Sequence, residues 1–222
     1  MVQQNCGPAK RGSQKWIQIL VNEKPHVLNS HIARELDLSE DDLVRWLSPL
    51  RTEGYAEYFD HACLNKLDVK LIKRPLAGFW PKNGPHWDAL GKTAVTKKLL
   101  LVEAKSHISE LISSVRASPA SLQKIRESLD ETRNFLNSKS APDWTVGFYQ
   151  YMNRLAHLYL FRQNDLQAYL VFVYFLNDAE MSGPATEEEW RAALDLLHAY
   201  LGLGRHKLQK YIAEVFIDVS KI

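Results

Sequence analysis

The chain has 222 residues, 45% of them hydrophobic and 24% charged. These are the proportions of a globular protein, not of a disordered or fibrous one. The longest strongly apolar run, Ala168 to Leu176, is far too short to cross a bilayer, which sets aside a membrane partner. Met1 to Gln14 is polar, without the apolar stretch of a secretory signal. Cys6 and Cys63 are the two cysteines, and no C-x-x-C spacing occurs. That argues against a disulfide scaffold or a structural zinc site and points to a reducing, cytoplasmic setting. The net charge of +2 conceals a basic stretch, because residues 66 to 105 hold nine lysines and arginines against three acids. Such a stretch fits either a phosphate-facing surface or a lysine-rich solvated face.

The N-terminal third reads as helices. Gln14 to Asn22 carries Trp16, Ile17, Leu20 and Val21 at helical spacing, with Pro25 as a stop. A second short helix follows Asn29 or Ser30. Ser39 and Asp42 suggest the start of a third, running through Leu43, Val44 and Leu47 to Pro49. Residues 31–50 also read somewhat like a helix-turn-helix, but a DNA-reading second helix should be basic, and this one begins Glu40-Asp41-Asp42. A plain helical bundle is the better expectation there, and a fourth element spans about Gly54 to Leu67.

The pattern then changes. Leu76–Trp80 and His86–Leu90 read as short strands around the turn signal Pro81-Lys82-Asn83-Gly84-Pro85. The continuous run from Lys98 to Lys105 reads as a strand buried on both faces. These three are expected to form an antiparallel meander. Helices return with Ser118-Pro119 as N-cap and first turn, and with an apolar stripe at Leu122, Ile125, Leu129 and Leu136. A helix over Val146 to Arg162 places Phe148, Met152, Leu155 and Tyr159 inward. Its opposite stripe, Gln150, Asn153, Arg154 and His157, reads as solvated unless this helix flanks a site, in which case Gln150 or Arg154 would meet a phosphate. Ala168–Phe175 is a central strand, Thr186 and Glu189 box the start of a helix closed by Gly202, and Val215–Val219 is a final strand. The class is α/β, a mixed sheet flanked by helices. Residues 1–52 form an N-terminal helical extension and residues 53–222 the core.

Residues two apart on a strand share a face, so Glu103 and Lys105 project together while Ala104 points away. If the strands at 86–90 and 98–105 pair, Asp88 reaches that face too. Two carboxylates, with the Ala104 carbonyl as a further oxygen, suit Mg²⁺ (or Mn²⁺). The bland reading is a weak Glu103–Lys105 ion pair at a sheet edge. Asp68-Val69-Lys70 repeats the acid-x-lysine spacing without a preceding aspartate strand, and reads as chance. His86 and His107 stand beside the motif as polar neighbours or zinc ligands. Trp80 and Trp87 bracket the turn, for packing or for stacking on bases.

Gly84-Pro85-His86-Trp87-Asp88 followed by Leu100-Leu101-Val102-Glu103-Ala104-Lys105 resembles the PD-(D/E)XK nuclease superfamily. Within it the chain resembles an uncharacterised bacterial family that also carries Phe79-Trp80-Pro81. The family's motif is an acid on the second core strand and acid-x-lysine on the third, and Trp87 stands where it often has proline. The resemblance covers roughly residues 53 to 177 and implies a restriction-endonuclease-like αβββαβ core. It implies Asp88 and Glu103 as metal ligands, Lys105 as the catalytic lysine, and an added acid from a preceding helix, Glu57 first and Glu53 second. The implied activity is Mg²⁺-dependent hydrolysis of DNA phosphodiester bonds. A catalytically inactive relative that binds nucleic acid or protein stays open beside it.

Overall fold

The computed structural model describes residues 3–4, 7–139 and 142–222; Cys6 lies outside them, and Cys63 is buried with a free thiol. In chain order come strand β1 (Gln3–Gln4), helices α1 (Gly12–Asn22) and α2 (Pro25–Leu36), β2 (Val44–Ser48), β3 (Glu57–Tyr58), α3 (Asp60–Lys66) and α4 (Leu76–Phe79). These are followed by β4 (Ala89–Thr93), β5 (Leu99–Lys105), α5 (Pro119–Leu136), α6 (Tyr149–Gln163), β6 (Ala168–Leu176), α7 (Glu187–Leu201) and β7 (Ile212–Asp218). The class is α/β. Five strands form one mixed sheet in the order β2-β4-β5-β6-β7, and β1 pairs with β3 apart from it. β2, β4 and β5 run antiparallel to one another in turn, whereas β5, β6 and β7 are mutually parallel. Parallel neighbours need crossovers, which α5 with α6 and then α7 supply.

Helices cover both faces, so the middle strands have no wet side. Every residue of β5 is buried. Leu100, Val102 and Ala104 join Ile17, Leu20, Leu28 and Ile32 of α1 and α2 in one core. Leu99 and Leu101 join Ile125, Leu155, Leu158 and Trp190 of the opposite helices in the other. Full burial of each such side chain contributes about 1.5–3 kcal/mol. Glu103 and Lys105 continue the row of Leu99 and Leu101, and therefore face α6.

Local end signals act as expected. Ser118 Oγ accepts from the Ser121 amide at the start of α5, and Thr186 with Glu189 forms a capping box on α7, closed by Gly202 in the left-handed conformation. Such caps contribute about 1 kcal/mol each.

Helix α2 starts at Pro25, which sits in its first turn, and not after Asn29 or Ser30, and two expected elements differ in kind. The segment after Ser39 is strand β2, not a third helix. Val44 and Trp46 are buried and Arg45 is exposed, a period-two alternation; Asp42 caps the 95–96 turn from outside it. No helix-turn-helix forms there. Leu76 to Phe79 is a helical turn rather than a strand, begun by Pro75 at its N-cap. The meander is consequently β2, β4 and β5. Residues 1–52 supply the sheet's edge strand as well as α1 and α2, so this segment shares the core and is not purely helical. No helix among the described residues is long and apolar enough to cross a membrane.

Candidate active site

A cavity of about 800 Å³ opens at the C-terminal end of β5, lined by Asp88, Glu103, Ala104, Lys105, Glu57, Gln150 and Arg154 among others. All seven residues singled out from the sequence thus meet in one place. Glu53, the second choice for the added acid, is not there; it holds Lys66 Nζ at 2.5 Å and the Tyr58 hydroxyl at 2.6 Å.

Asp88 precedes β4 and continues its ladder, since its amide donates to the Val102 carbonyl at 3.1 Å. Its Oδ2 accepts from the Ala104 amide at 2.7 Å. Within a strand the N–H and C=O of one residue point to the same side, so the Ala104 carbonyl also faces the Asp88 side. Asp88 Oδ1 has no hydrogen-bond partner among the described residues.

Glu103 is 2% exposed, and both of its oxygens are held. Oε1 accepts from Lys105 Nζ at 2.5 Å and Oε2 from Arg154 Nε at 2.6 Å. Lys105 also donates to Gln150 Oε1 at 3.1 Å, and Arg154 Nη2 donates to the His86 carbonyl at 2.8 Å. Arg154 and Gln150 reach the strand because α6 packs its polar stripe inward. Asn153, Arg154 and His157 are buried, which corrects the solvated reading of that face. The stripe is polar because it meets Glu103 and Lys105, not water.

The electrostatics follow from this placement. Burial raises the Asp88 carboxyl well above its usual range, and the charges of Glu103 and Glu57 push it the same way. Burial would also raise Glu103, but Arg154 and Lys105 outweigh it and hold Glu103 below the usual range. Lys105 loses solvation yet is raised by Glu103 and Asp88. Three carboxylates thus share the inner wall with two cations, an arrangement that favours one more positive charge.

Among the described residues no three His, Cys, Asp or Glu side chains converge closely enough to hold an ion between them. The set on offer is two carboxylates and one carbonyl. This fits an Mg²⁺-type ion, which takes one or two carboxylates and keeps several waters, and does not fit zinc, which needs three or four protein ligands. Of the two histidines, His86 lines the cavity and stacks on Phe59 at 4.0 Å. His107 instead meets Ser109 Oγ at 2.6 Å and Glu110 at 3.3 Å.

The cavity walls are fixed by contacts the sequence does not show. The Asn83 and Gly84 amides donate to Asp60 at 2.8 and 2.9 Å, pinning the Pro81–Pro85 loop. A Cβ on Gly84 would lie 2.8 Å from Asp60 Oδ1 and 3.3 Å from His157 Nε2, so the loop packs here only without a side chain. Trp80 and Trp87 are buried around His157 and form core rather than stacking platforms. At the mouth, Lys82, Arg116 and Ser118 are exposed; sequence reasoning missed this second wall because only the crossover before α5 brings it across from the turn. Asp68 lines a separate hollow beside Lys92, remote from the acid-x-lysine pair of β5.

Searches against family models, curated proteins and solved structures return no match to this chain.

Proposed function

We propose that this chain is a Mg²⁺-dependent nuclease of restriction-endonuclease-like fold that hydrolyses phosphodiester bonds of DNA. One observation carries the reading: Asp88, Glu103 and Lys105 converge in one cavity, with Asp88 Oδ1 left without a partner beside two further carboxylates. The sheet supports it, because three antiparallel strands and a parallel strand reached by a helical crossover lie side by side in the order of an αβββαβ core, with β3, α3 and α4 inserted between β2 and β4.

Asp88, Glu103 and the Ala104 carbonyl would hold the ion, which when bound supplies a Lewis acid and lowers the pKa of a coordinated water. Lys105 holds its proton at Nζ and, tied to Glu103 and Gln150, is placed to orient the attacking water and offset charge on the phosphate oxygens. Arg154 fixes the Glu103 carboxylate in place. Lys82 and Arg116 supply positive charge where the flanking backbone would enter. A reducing, cytoplasmic setting belongs to the same reading, supported by the free thiol of Cys63.

A second reading, a nucleic-acid- or protein-binding module without catalysis, is favoured by one specific feature. Both Glu103 oxygens are already occupied by cations of the chain, so an ion must compete with Arg154 or Lys105 for them. Incubating the protein with plasmid and linear single-stranded DNA plus Mg²⁺ or Mn²⁺ separates the two. The nuclease reading expects cleavage that Lys105→Ala abolishes. No cleavage, with Lys105→Ala indistinguishable from the wild type, overturns the nuclease reading, and the binding module then expects affinity for nucleic acid or protein that does not depend on metal.

A further inference from the structure

The end of the sheet opposite the cavity carries a second concentration of positive charge. The loop between α7 and β7 presents Arg205, Lys207 and Lys210, all exposed, around an open hollow of about 560 Å³. Lys98, before β5, and Arg162, at the end of α6, border the same surface through an aromatic chain. Lys98 lies over the Tyr169 ring at 5.5 Å, Tyr169 meets Tyr211 edge-on, and Arg162 lies over Tyr211 at 3.8 Å. Lys210 sits 5.0 Å from the same Tyr211 ring and Lys207 4.9 Å from that of Phe135.

None of these five cations is ion-paired among the described residues, and Asp165, the acid nearest Arg162 in sequence, is held by Lys73. In the other basic hollow, beside Arg45, Lys66 is ion-paired to Glu53; Arg162 here donates to the Leu166 carbonyl and to Gln167 Oε1 but meets no carboxylate. Unneutralised cations held apart by rings repel one another, and a polyanion laid across them removes that repulsion while releasing its counterions. The rings are already covered by the chain's own cations, so they set the spacing of charge and do not offer faces for bases.

We infer that this surface is a second contact for the phosphate backbone of the nucleic acid strand whose scissile bond enters the cavity. The inference deepens the nuclease reading and rests on it for the first contact. α6 runs from Gln150 at the cavity to Arg162 at the basic surface, about 20 Å at 1.5 Å per residue. Because α6 is buried from Tyr151 to Phe161, a duplex passing outside it spans at least this distance, roughly six base pairs or more at 3.4 Å each. A long duplex reaches both places and a very short one reaches only the cavity.

The test is the triple variant Arg205→Glu, Lys207→Glu, Lys210→Glu in the full chain, with its fold checked by circular dichroism. Its binding to a labelled duplex of about 30 base pairs is titrated in EDTA over a range of salt. The expected result is at least a tenfold loss of affinity at moderate salt. The slope of log K against log salt should become shallower by about 2.7, or 0.9 for each phosphate that is no longer neutralised. Metal-dependent hydrolysis of bis-p-nitrophenyl phosphate, a phosphodiester too small to reach beyond the cavity, should be unchanged. Unaltered affinity and slope overturn the inference, as does wild-type binding to anionic phosphatidylserine vesicles in preference to DNA. If the wild type binds through this surface but cleaves nothing, the backbone contact stands and the nuclease reading falls.

Discussion

Arg154 Nε lies 2.6 Å from Glu103 Oε2, and the two residues are 4% and 2% exposed. The pair joins α6 to the central strand β5, and it decides the orientation of the one carboxylate that both Lys105 and a metal ion would use. Taking two such charges out of water costs several kcal/mol each, which only a tight geometry offsets.

Removing one partner should therefore be severe. Arg154→Met leaves Glu103 buried with Lys105 alone and frees the His86 carbonyl. The expected loss is about 3–5 kcal/mol of stability, the usual cost of breaking a buried pair, read as a drop in denaturation midpoint. Arg154→Lys should recover only part of it, because one ammonium does not reproduce the forked contact with Glu103 and His86.

Asp88→Asn should move stability and activity in opposite directions. The asparagine oxygen can still accept from the Ala104 amide, while the charge that opposes Glu103 and Glu57 is gone. The expected outcome is a Tm equal to or above that of the wild type, with metal-dependent DNA cleavage abolished. A Tm well below the wild type would show that the Asp88 charge is needed for folding.

Divalent metal should stabilise the wild type and not that variant. An ion that binds only the native state adds about 2.7 kcal/mol at a hundredfold excess over its Kd. Thermal unfolding with and without Mn²⁺ should show a rise for the wild type and none for Asp88→Asn. Equal rises for both would place the ion elsewhere.

His157 gives a pH dependence of definite sign. It is 3% exposed, its Nδ1 lies 2.9 Å from the Asn153 carbonyl, and Nε2 has no partner among the described residues. Burial pushes its pKa down to about 3. Below the ordinary histidine value of about 6.5 the unfolded chain takes up a proton that the native one refuses. Stability is therefore full above that value and is lost as pH falls toward the native pKa, by about 1.4 kcal/mol per pH unit. Chemical denaturation between pH 4 and 7 should show this slope reduced by about that amount in His157→Leu. An unchanged slope would mean that His157 protonates in the native state.

Gly84→Ala tests how firmly the cavity wall is set. The added methyl meets Asp60 Oδ1 at 2.8 Å, so either the loop or the carboxylate that pins it must move. A drop in stability of about 1–3 kcal/mol is expected, as for other overpacked sites, with weaker DNA binding at the cavity.

Short-range chemistry made much of this molecule legible from residues alone. The placement of Glu103 and Lys105 on one face follows from the strand repeat of two, and the hairpin turn between Thr93 and Lys98, which pairs β4 with β5, brings Asp88 back beside them. Ser118-Pro119 and the Thr186–Glu189 box begin α5 and α7 by satisfying amides of their own first turns. Tertiary contact decided the remainder. Val44-Arg45-Trp46 became a strand because β4 offered a partner edge, and Leu76 to Phe79 became helical because no strand did. The polar stripe of α6 is the clearest case. Its residue types suit water equally well, and only the approach of β5 made Arg154 and Gln150 the partners of Glu103 and Lys105. A charge costs little on a surface and several kcal/mol in a core, so the same residues carry different meanings until packing settles where the water is.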